Sequence, residues 1–180
     1  MTRIISGRLR GKRLHAPRTL EARPTTDFAK ESLFNILENQ YHWDQTTALD
    51  LFSGTGNLAL ELASRGASSV VAVDIAQAST RYIQRTAEAL GLDKQVTVVQ
   101  REAQAFLQRD FRRYELILAD PPYDYPDYEH LLEAIWARDL LAPQGLLVLE
   151  HHVRTHLDHL PHFQRSRKYG KVGFSFFAPA

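Results

Sequence analysis

The sequence predicts an α/β protein: a mainly parallel, doubly wound sheet that ends in an antiparallel hairpin. Three observations carry this. From residue 47 onward, short apolar runs rich in β-branched residues alternate with segments of helical periodicity, the pattern of βαβ units with right-handed crossovers. Gly66 and Gly91 fall just past two of the helical segments, where a left-handed stop is expected. The last two strand-like runs are separated only by Gly170-Lys171, which leaves room for a turn and none for a helix.

The elements follow in order. Residues 3–14 hold Gly7 and Gly11 as breakers and read as a short, exposed, basic hairpin. Pro17 and Pro24 mark a loop, and Thr25-Thr26-Asp27 supplies a cap for a helix whose apolar face is Leu33, Phe34, Ile36 and Leu37. Strands are expected at 47–52, 69–74, 96–99, 114–120 and 145–150, and helices at 57–65, 76–90, 103–108 and 128–138. The closing hairpin is 163–169 with 172–177. With no internal repeat and no low-complexity linker, 180 residues make one domain, residues 1–180, with a basic extension at 1–24 and a core at 25–180.

Composition narrows the function classes. Hydrophobic content of 44% and charged content of 24% are those of an ordinary globular chain, and the absence of cysteine removes disulfides and thiolate metal sites. The N-terminus lacks a leader-like apolar region, and no run is long and apolar enough to span a bilayer, so the expectation is a cytoplasmic protein with no membrane partner. The net charge is +1, but residues 1–24 hold seven basic residues against Glu21 alone, and residues 151–180 hold five against Asp158 alone. Basic ends around an acidic middle suit a polyanion docked beside a more acidic pocket. Arg3, Arg8, Arg10, Lys12, Arg13 and Arg23 at one end, with Arg167 and Lys168 at the other, are the candidate phosphate contacts.

Asp50-Leu51-Phe52-Ser53-Gly54-Thr55-Gly56 leaves the first core strand and enters a helix. Its glycines let backbone pass close to a ligand, and the helix start offers free N–H groups. Asp74 ends the next strand twenty residues after Gly54, the place for an acid that accepts both hydroxyls of a ribose. Gly54-x-Gly56-x-x-Ala59 also fits the dinucleotide fingerprint, so the loop alone leaves a nicotinamide open. Two features favour S-adenosylmethionine. Asp50 is placed to meet the ammonium of a methionine group, and nothing at Asp120–Tyr123 orients a hydride acceptor. Phe52 and Ser53 belong to the same loop, Ile75 is a candidate to pack on adenine, Glu102 to accept from its amino group, and Ala103 to offer a backbone N–H. Glu102 is equally a candidate helix cap.

Asp120-Pro121-Pro122-Tyr123 closes the apolar run 116–119. A strand ending in an acid, two residues without N–H groups and an aromatic ring makes a stiff polar bay. A planar amine held there meets Asp120 and the Pro121 carbonyl as acceptors, with Tyr123 to stack on, an arrangement suited to N-methylation of a nucleobase. The tetrapeptide by itself does not choose the amine, so adenine N6 and DNA amines stay open, as does a non-catalytic RNA-binding assembly factor. Five histidines fall in residues 151–162, with His152 and His156 at i, i+4 spacing. They read as a solvated polar face, and no metal is expected.

Taken together, these residues resemble the bacterial 16S (small-subunit) rRNA guanine-N2 methyltransferase family, the class I, S-adenosylmethionine-dependent type. The resemblance runs through Arg3-Ile4-Ile5-Ser6-Gly7, Gly11-Lys12-Arg13-Leu14, Arg23-Pro24-Thr25-Thr26-Asp27, Glu31-Ser32-Leu33-Phe34-Asn35, Asp50–Gly56, Asp74 and Asp120–Tyr123. It implies the Rossmann-like class I methyltransferase fold with a seven-stranded sheet whose last strand is antiparallel. It also implies S-adenosylmethionine as methyl donor, an N-terminal extension that contacts RNA, and rRNA or a small-subunit assembly intermediate as partner. Two departures stand out. Ala76 lies where relatives often carry a second acid, leaving the ribose to Asp74, and Phe28-Ala29-Lys30 is less basic than is usual there.

Overall fold

The computed structural model describes residues 2–20 and 25–180; Arg23, one of the expected phosphate contacts, lies outside them. The N-terminal hairpin is β1 (Thr2–Arg3) paired antiparallel with β2 (Arg13–Leu14). After α1 (Asp27–Glu38) come β3 (Thr47–Leu51), α2 (Asn57–Ser64), β4 (Ser69–Asp74), α3 (Gln77–Ala89), β5 (Val96–Gln100), α4 (Ala103–Leu107), β6 (Tyr114–Ala119), α5 (Tyr128–Ala137), β7 (Leu141–His152), β8 (Phe163–Tyr169) and β9 (Val172–Phe177). The seven-stranded sheet has the order β5-β4-β3-β6-β7-β9-β8. Pairing is parallel from β5 to β7, and β9 runs antiparallel to both its neighbours. This is the α/β, Rossmann-like methyltransferase architecture.

Both faces of the sheet are covered, which explains the near-continuous apolar strands. Ala48, Leu116 and Leu118 join one cluster with residues of α1, α2 and α3, while Leu49, Leu51, Ile117 and Ala119 join a second with α4 and α5. Most expected element starts hold, and most ends shift by one residue. The larger difference is β7, which starts at Leu141 rather than Gly145 and runs on through His152. Its register against β6 breaks between Tyr114 and Leu116, and this irregularity absorbs Pro143, which has no ladder donor. At its C-terminal end, β7 continues because β9 pairs with His151 and His152.

The hairpin is not the exposed arm that the sequence suggests. Its basic side chains face solvent, but Ile4 and Leu14 are buried in the core shared with α1 and α2. The anchor is Glu61 on α2. Its carboxylate accepts the backbone N–H groups of Ile5 (2.9 Å) and Ser6 (3.0 Å) and pairs with Lys30 (2.9 Å) and Arg65 (3.0 Å), fully buried. Lys30 Nζ also donates to the Arg3 carbonyl (2.8 Å) and to Asn57 Oδ1 (2.7 Å). Lys30 is therefore an interior bolt rather than part of an RNA surface, and burial pushes its amine below the usual range.

At the hairpin tip the backbone meets α2 directly. Arg8 N–H donates to the Ser64 carbonyl (2.8 Å), and Gly7 adopts φ +83 with no space for a side chain: a Cβ would lie 1.9 Å from the Ser64 oxygen. Gly7→Ala is expected to destabilise the protein by roughly 2–4 kcal/mol, through the left-handed strain plus the clash. Thermal or urea unfolding checks this; a loss below about 0.5 kcal/mol, typical of a neutral surface change, would contradict it.

Candidate active site

Parallel strands order the site. The C-terminal ends of β5, β4, β3 and β6 sit side by side, and the chain reverses its winding between β3 and β6, the crevice where open α/β sheets bind ligands. A cleft of about 820 Å³ opens there, within the range of a nucleoside-sized pocket. Across it run Glu102 after β5, Asp74 at the end of β4, the Asp50–Gly54 loop at β3, and Asp120 just past β6.

The loop is built for close approach. Phe52 takes φ 60, a left-handed conformation a bulky residue rarely adopts, and Gly54 (φ 57) and Gly56 (φ 75) complete the turn. A Cβ at Gly54, which lines the cleft, would meet no protein atom within 4 Å; at Gly56 it would press on Ile83 at 2.9 Å. Gly54 thus keeps space for a ligand, and Gly56 seats the helix. Asp50 is 1% exposed, and its Oδ2 accepts from Ser53 Oγ (2.7 Å) and Ala59 N–H (3.1 Å), tying the loop to α2. Burial raises its carboxyl to about 7, against the lowering effect of the Ser53 and Ala59 hydrogen bonds.

That shift has a measurable consequence in the cofactor-free protein. The native state keeps a proton on Asp50 up to about pH 7, whereas the unfolded chain releases it near the ordinary value of 3.8. The native state therefore binds the extra proton in that window, and the contribution of Asp50 to stability falls as pH rises from about 4 to about 7. Asp50→Asn cannot ionise, so its stability relative to the parent is expected to climb over this window, by up to roughly 4 kcal/mol. Urea unfolding at pH 4 and pH 8 measures this; a pH-independent difference would contradict it.

The other expected cofactor residues fall along the same cleft. Asp74 accepts from Gly54 N–H and Ala76 N–H, both at 2.9 Å, which aims its carboxylate across the loop. Ile75 is 65% exposed on the cleft wall, an apolar shelf at the right place for a flat base. Glu102 lines the cleft but is the N-cap of α4, accepting from Gln104 N–H (3.0 Å) and Ala105 N–H (2.9 Å). Of its two expected roles, the cap is the one its contacts make. Ala103 follows as the first, buried residue of α4.

Asp120 is half-buried at the cleft, and its backbone N–H donates to the Leu51 carbonyl (3.3 Å), extending the β3–β6 register. Pro121 is buried, and Pro122 lies on the rim with its carbonyl accepting from Tyr125 N–H (2.9 Å). Tyr123 lines the rim and stands edge-on to His152 (ring centroids 5.3 Å, 88°). Sequence reasoning missed this support, and it missed Tyr125, which packs edge-on against Phe52 (5.4 Å) and adds a second aromatic wall. An aromatic two residues after Tyr123 was the available signal.

The histidine-rich segment is not a solvated face throughout. His151 is buried, bonded to Ser175 Oγ (2.7 Å) and the His152 carbonyl (2.8 Å), and burial lowers its basicity. His162 packs on Trp136 at 4.4 Å. The i, i+4 spacing of His152 and His156 has no helix to act on, because His152 ends β7.

The basic residues divide into groups. Arg3 and Arg13 pair on the hairpin, with the Arg3 carbonyl joined through Lys30 to Asn57 at the cleft end of α2; Arg3 also forms an ion pair with Asp27 (3.2 Å). Arg8, Arg10 and Lys12 cluster at the tip, where Arg8 meets Ser64 at the far end of α2, roughly 10 Å away by helix rise. Arg167 and Lys168 are exposed on β8, at the same end of the sheet as Asp120: Lys168 pairs with Gly173, and Gly173 with His151. Nearby, Phe28 is 67% exposed and edge-on to Tyr169 (5.8 Å), an aromatic pair the sequence did not flag.

Comparison with known proteins identifies the family. The model of the family described as Conserved hypothetical protein 95 matches residues 2–178. YlbH of Bacillus subtilis (strain 168) is 34% identical over 152 residues, covering 83% of this chain and 82% of its own. Ribosomal RNA small subunit methyltransferase D of Escherichia coli (strain K12) is 29% identical over 178 residues, covering 97% of this chain and 88% of its own. Among solved structures, yhhF from Escherichia coli superposes with a TM-score of 0.86 at 28% identity, covering 98% of this chain and 96% of that chain. The chain belongs to the Conserved hypothetical protein 95 family and, with these relatives, to the class I S-adenosylmethionine-dependent methyltransferases of the small-subunit rRNA type.

Proposed function

We propose that the protein transfers the methyl group of S-adenosylmethionine to the exocyclic N2 of a guanine in 16S rRNA, as free RNA or within a small-subunit assembly intermediate in the cytoplasm. The observation that carries this reading is the order of groups across the strand ends: Ile75 for adenine, Asp74 for ribose, the Asp50–Gly54 loop for methionine, and Asp120 one strand further on. When bound, the cofactor supplies an electrophilic methyl group on a sulfonium. The single domain serves both tasks, with residues 1–24 as the RNA-contacting extension and 25–180 as the catalytic core. The choice of guanine in RNA rests on the resemblance, whose most specific elements are Arg23-Pro24-Thr25 and Leu33-Phe34-Asn35, since an acid beside two prolines would hold any planar amine.

In this reading Asp120 and the Pro121 carbonyl accept the two N–H bonds of the amine. That contact turns its lone pair, otherwise delocalised into the ring, toward the methyl carbon. Alignment of this kind is worth on the order of 7–11 kcal/mol in well-oriented displacements. One proton leaves the amine after transfer, to Asp120 or to water. Tyr123, propped by His152, stacks on the splayed-out base, a contact of roughly 1–3 kcal/mol. Arg3 and Arg13 on one side and Arg167 and Lys168 on the other then hold the flanking phosphates, with Phe28 and Tyr169 between.

Incubation with labelled S-adenosylmethionine and either deproteinised small-subunit RNA or assembled subunits, followed by nucleoside analysis, tests the proposal. N2-methylguanosine is the expected product. N6-methyladenosine, or methylation of DNA alone, would overturn the choice of base or polymer, and no transfer to any of them would overturn the activity.

A further inference from the structure

We infer that Asn57 binds the cofactor directly: its side-chain amide donates to the carboxylate at the methionine end of S-adenosylmethionine. The inference rests on the cofactor reading above and adds a residue that neither the glycine loop nor the Asp120 motif includes. Asn57 is the first residue of α2, follows Gly56, and lines the cleft beside Asp50 and Ser53. It is 5% exposed. Lys30 Nζ lies 2.7 Å from its Oδ1, and because an ammonium only donates, this contact fixes which end of the amide is oxygen. The other end, Nδ2, therefore carries two N–H donors, and it is buried with no hydrogen-bond partner among the described residues. A buried donor left unmade is unfavourable, and such a group needs an explanation.

The chemistry of the neighbours says which acceptor satisfies it. A methionine group presents an ammonium, which only donates, and a carboxylate, which only accepts. Asp50 is an acceptor and complements the ammonium; Asn57 is a donor and complements the carboxylate. The N-terminal end of α2 contributes a partial positive charge in the same place. Helical side chains also lean toward the N-terminus, which carries Asn57 toward the loop. Asn57 thus joins the cofactor site to the Lys30–Glu61 network, with each end of its amide given a separate partner.

Calorimetric titration of S-adenosylhomocysteine and of 5′-methylthioadenosine, which lacks the amino-acid end, tests the assignment on the parent and on Asn57→Asp. The aspartate keeps an oxygen for Lys30 and replaces the donor with a second acceptor. Affinity for S-adenosylhomocysteine is expected to fall tenfold or more, with methylthioadenosine unchanged within twofold. Equal weakening of both, or no change in either, would overturn the role of Asn57 while leaving the cofactor reading intact; a parent protein that binds neither nucleoside would overturn both. If Asn57→Asp does not fold, the side-chain amide signal of Asn57 in ¹H–¹⁵N spectra of the parent decides. A shift with S-adenosylhomocysteine and none with methylthioadenosine supports the contact, and equal shifts or none refute it.

Discussion

Asp120→Ala is expected to lower methyl transfer by a factor on the order of 10² to 10³ or more, the scale seen when one aligned polar group is lost from a reacting centre. S-adenosylmethionine affinity should stay within a few-fold. The two effects separate because of where Asp120 sits: one strand beyond the Asp50–Gly54 loop, joined to the end of β3 by its own backbone N–H. Asp120→Asn makes the sharper variant. It has nearly the same shape and keeps one oxygen, but it turns an NH₂ group toward the substrate amine, so it should be as inactive as alanine. Single-turnover transfer with separately measured cofactor binding checks both. Turnover within tenfold of the parent for either variant would remove Asp120 from the reaction.

Glu61→Ala should produce the largest loss of stability, roughly 3–5 kcal/mol, because it strands buried charge. Lys30 would lose its buried carboxylate partner, Arg65 would keep only Glu38, and the Ile5 and Ser6 amides would lose their acceptor. The effect should be local before it is global. Hydrogen exchange at Ile5 and Ser6 should speed up by more than at the strand amides of β3 and β6, since these two amides donate directly to the Glu61 carboxylate. The released hairpin carries most of the N-terminal basic residues, so RNA affinity should fall along with stability. A destabilisation below about 1 kcal/mol, the range of an exposed pair, would mean that the network does not hold the hairpin.

Much of the fold was legible because most core strands are apolar runs and the helices α2 and α3 end in glycine stops. Gly66, Gly91 and Gly170 all take positive φ, as the stop and turn signals required. The start of β7 was not legible, because Pro143 and Gly145 read as loop and the bulge that tolerates them depends on a tertiary partner, Tyr114. The linear motifs Asp50–Gly56, Asp74 and Asp120–Tyr123 foretold the residues that meet at one crevice, since each follows a strand of the same parallel sheet. What stayed hidden were contacts between distant segments. The docking of the hairpin on Glu61, the interior burial of Lys30 and the support of Tyr123 by His152 depend on separations that no local pattern encodes. Position 30 shows the limit well. A lysine at a helix start reads as surface charge, and only the carboxylate delivered by α2 makes its burial possible.

The most direct measurement is a crystal structure of the protein with S-adenosylmethionine bound. The adenine should rest on Ile75, the ribose hydroxyls on Asp74, and the sulfonium methyl should face the carboxylate of Asp120. A cofactor bound in the reverse direction, with its methyl carbon toward Glu102 and its adenine over Asp120, would contradict the assignment of the acceptor site.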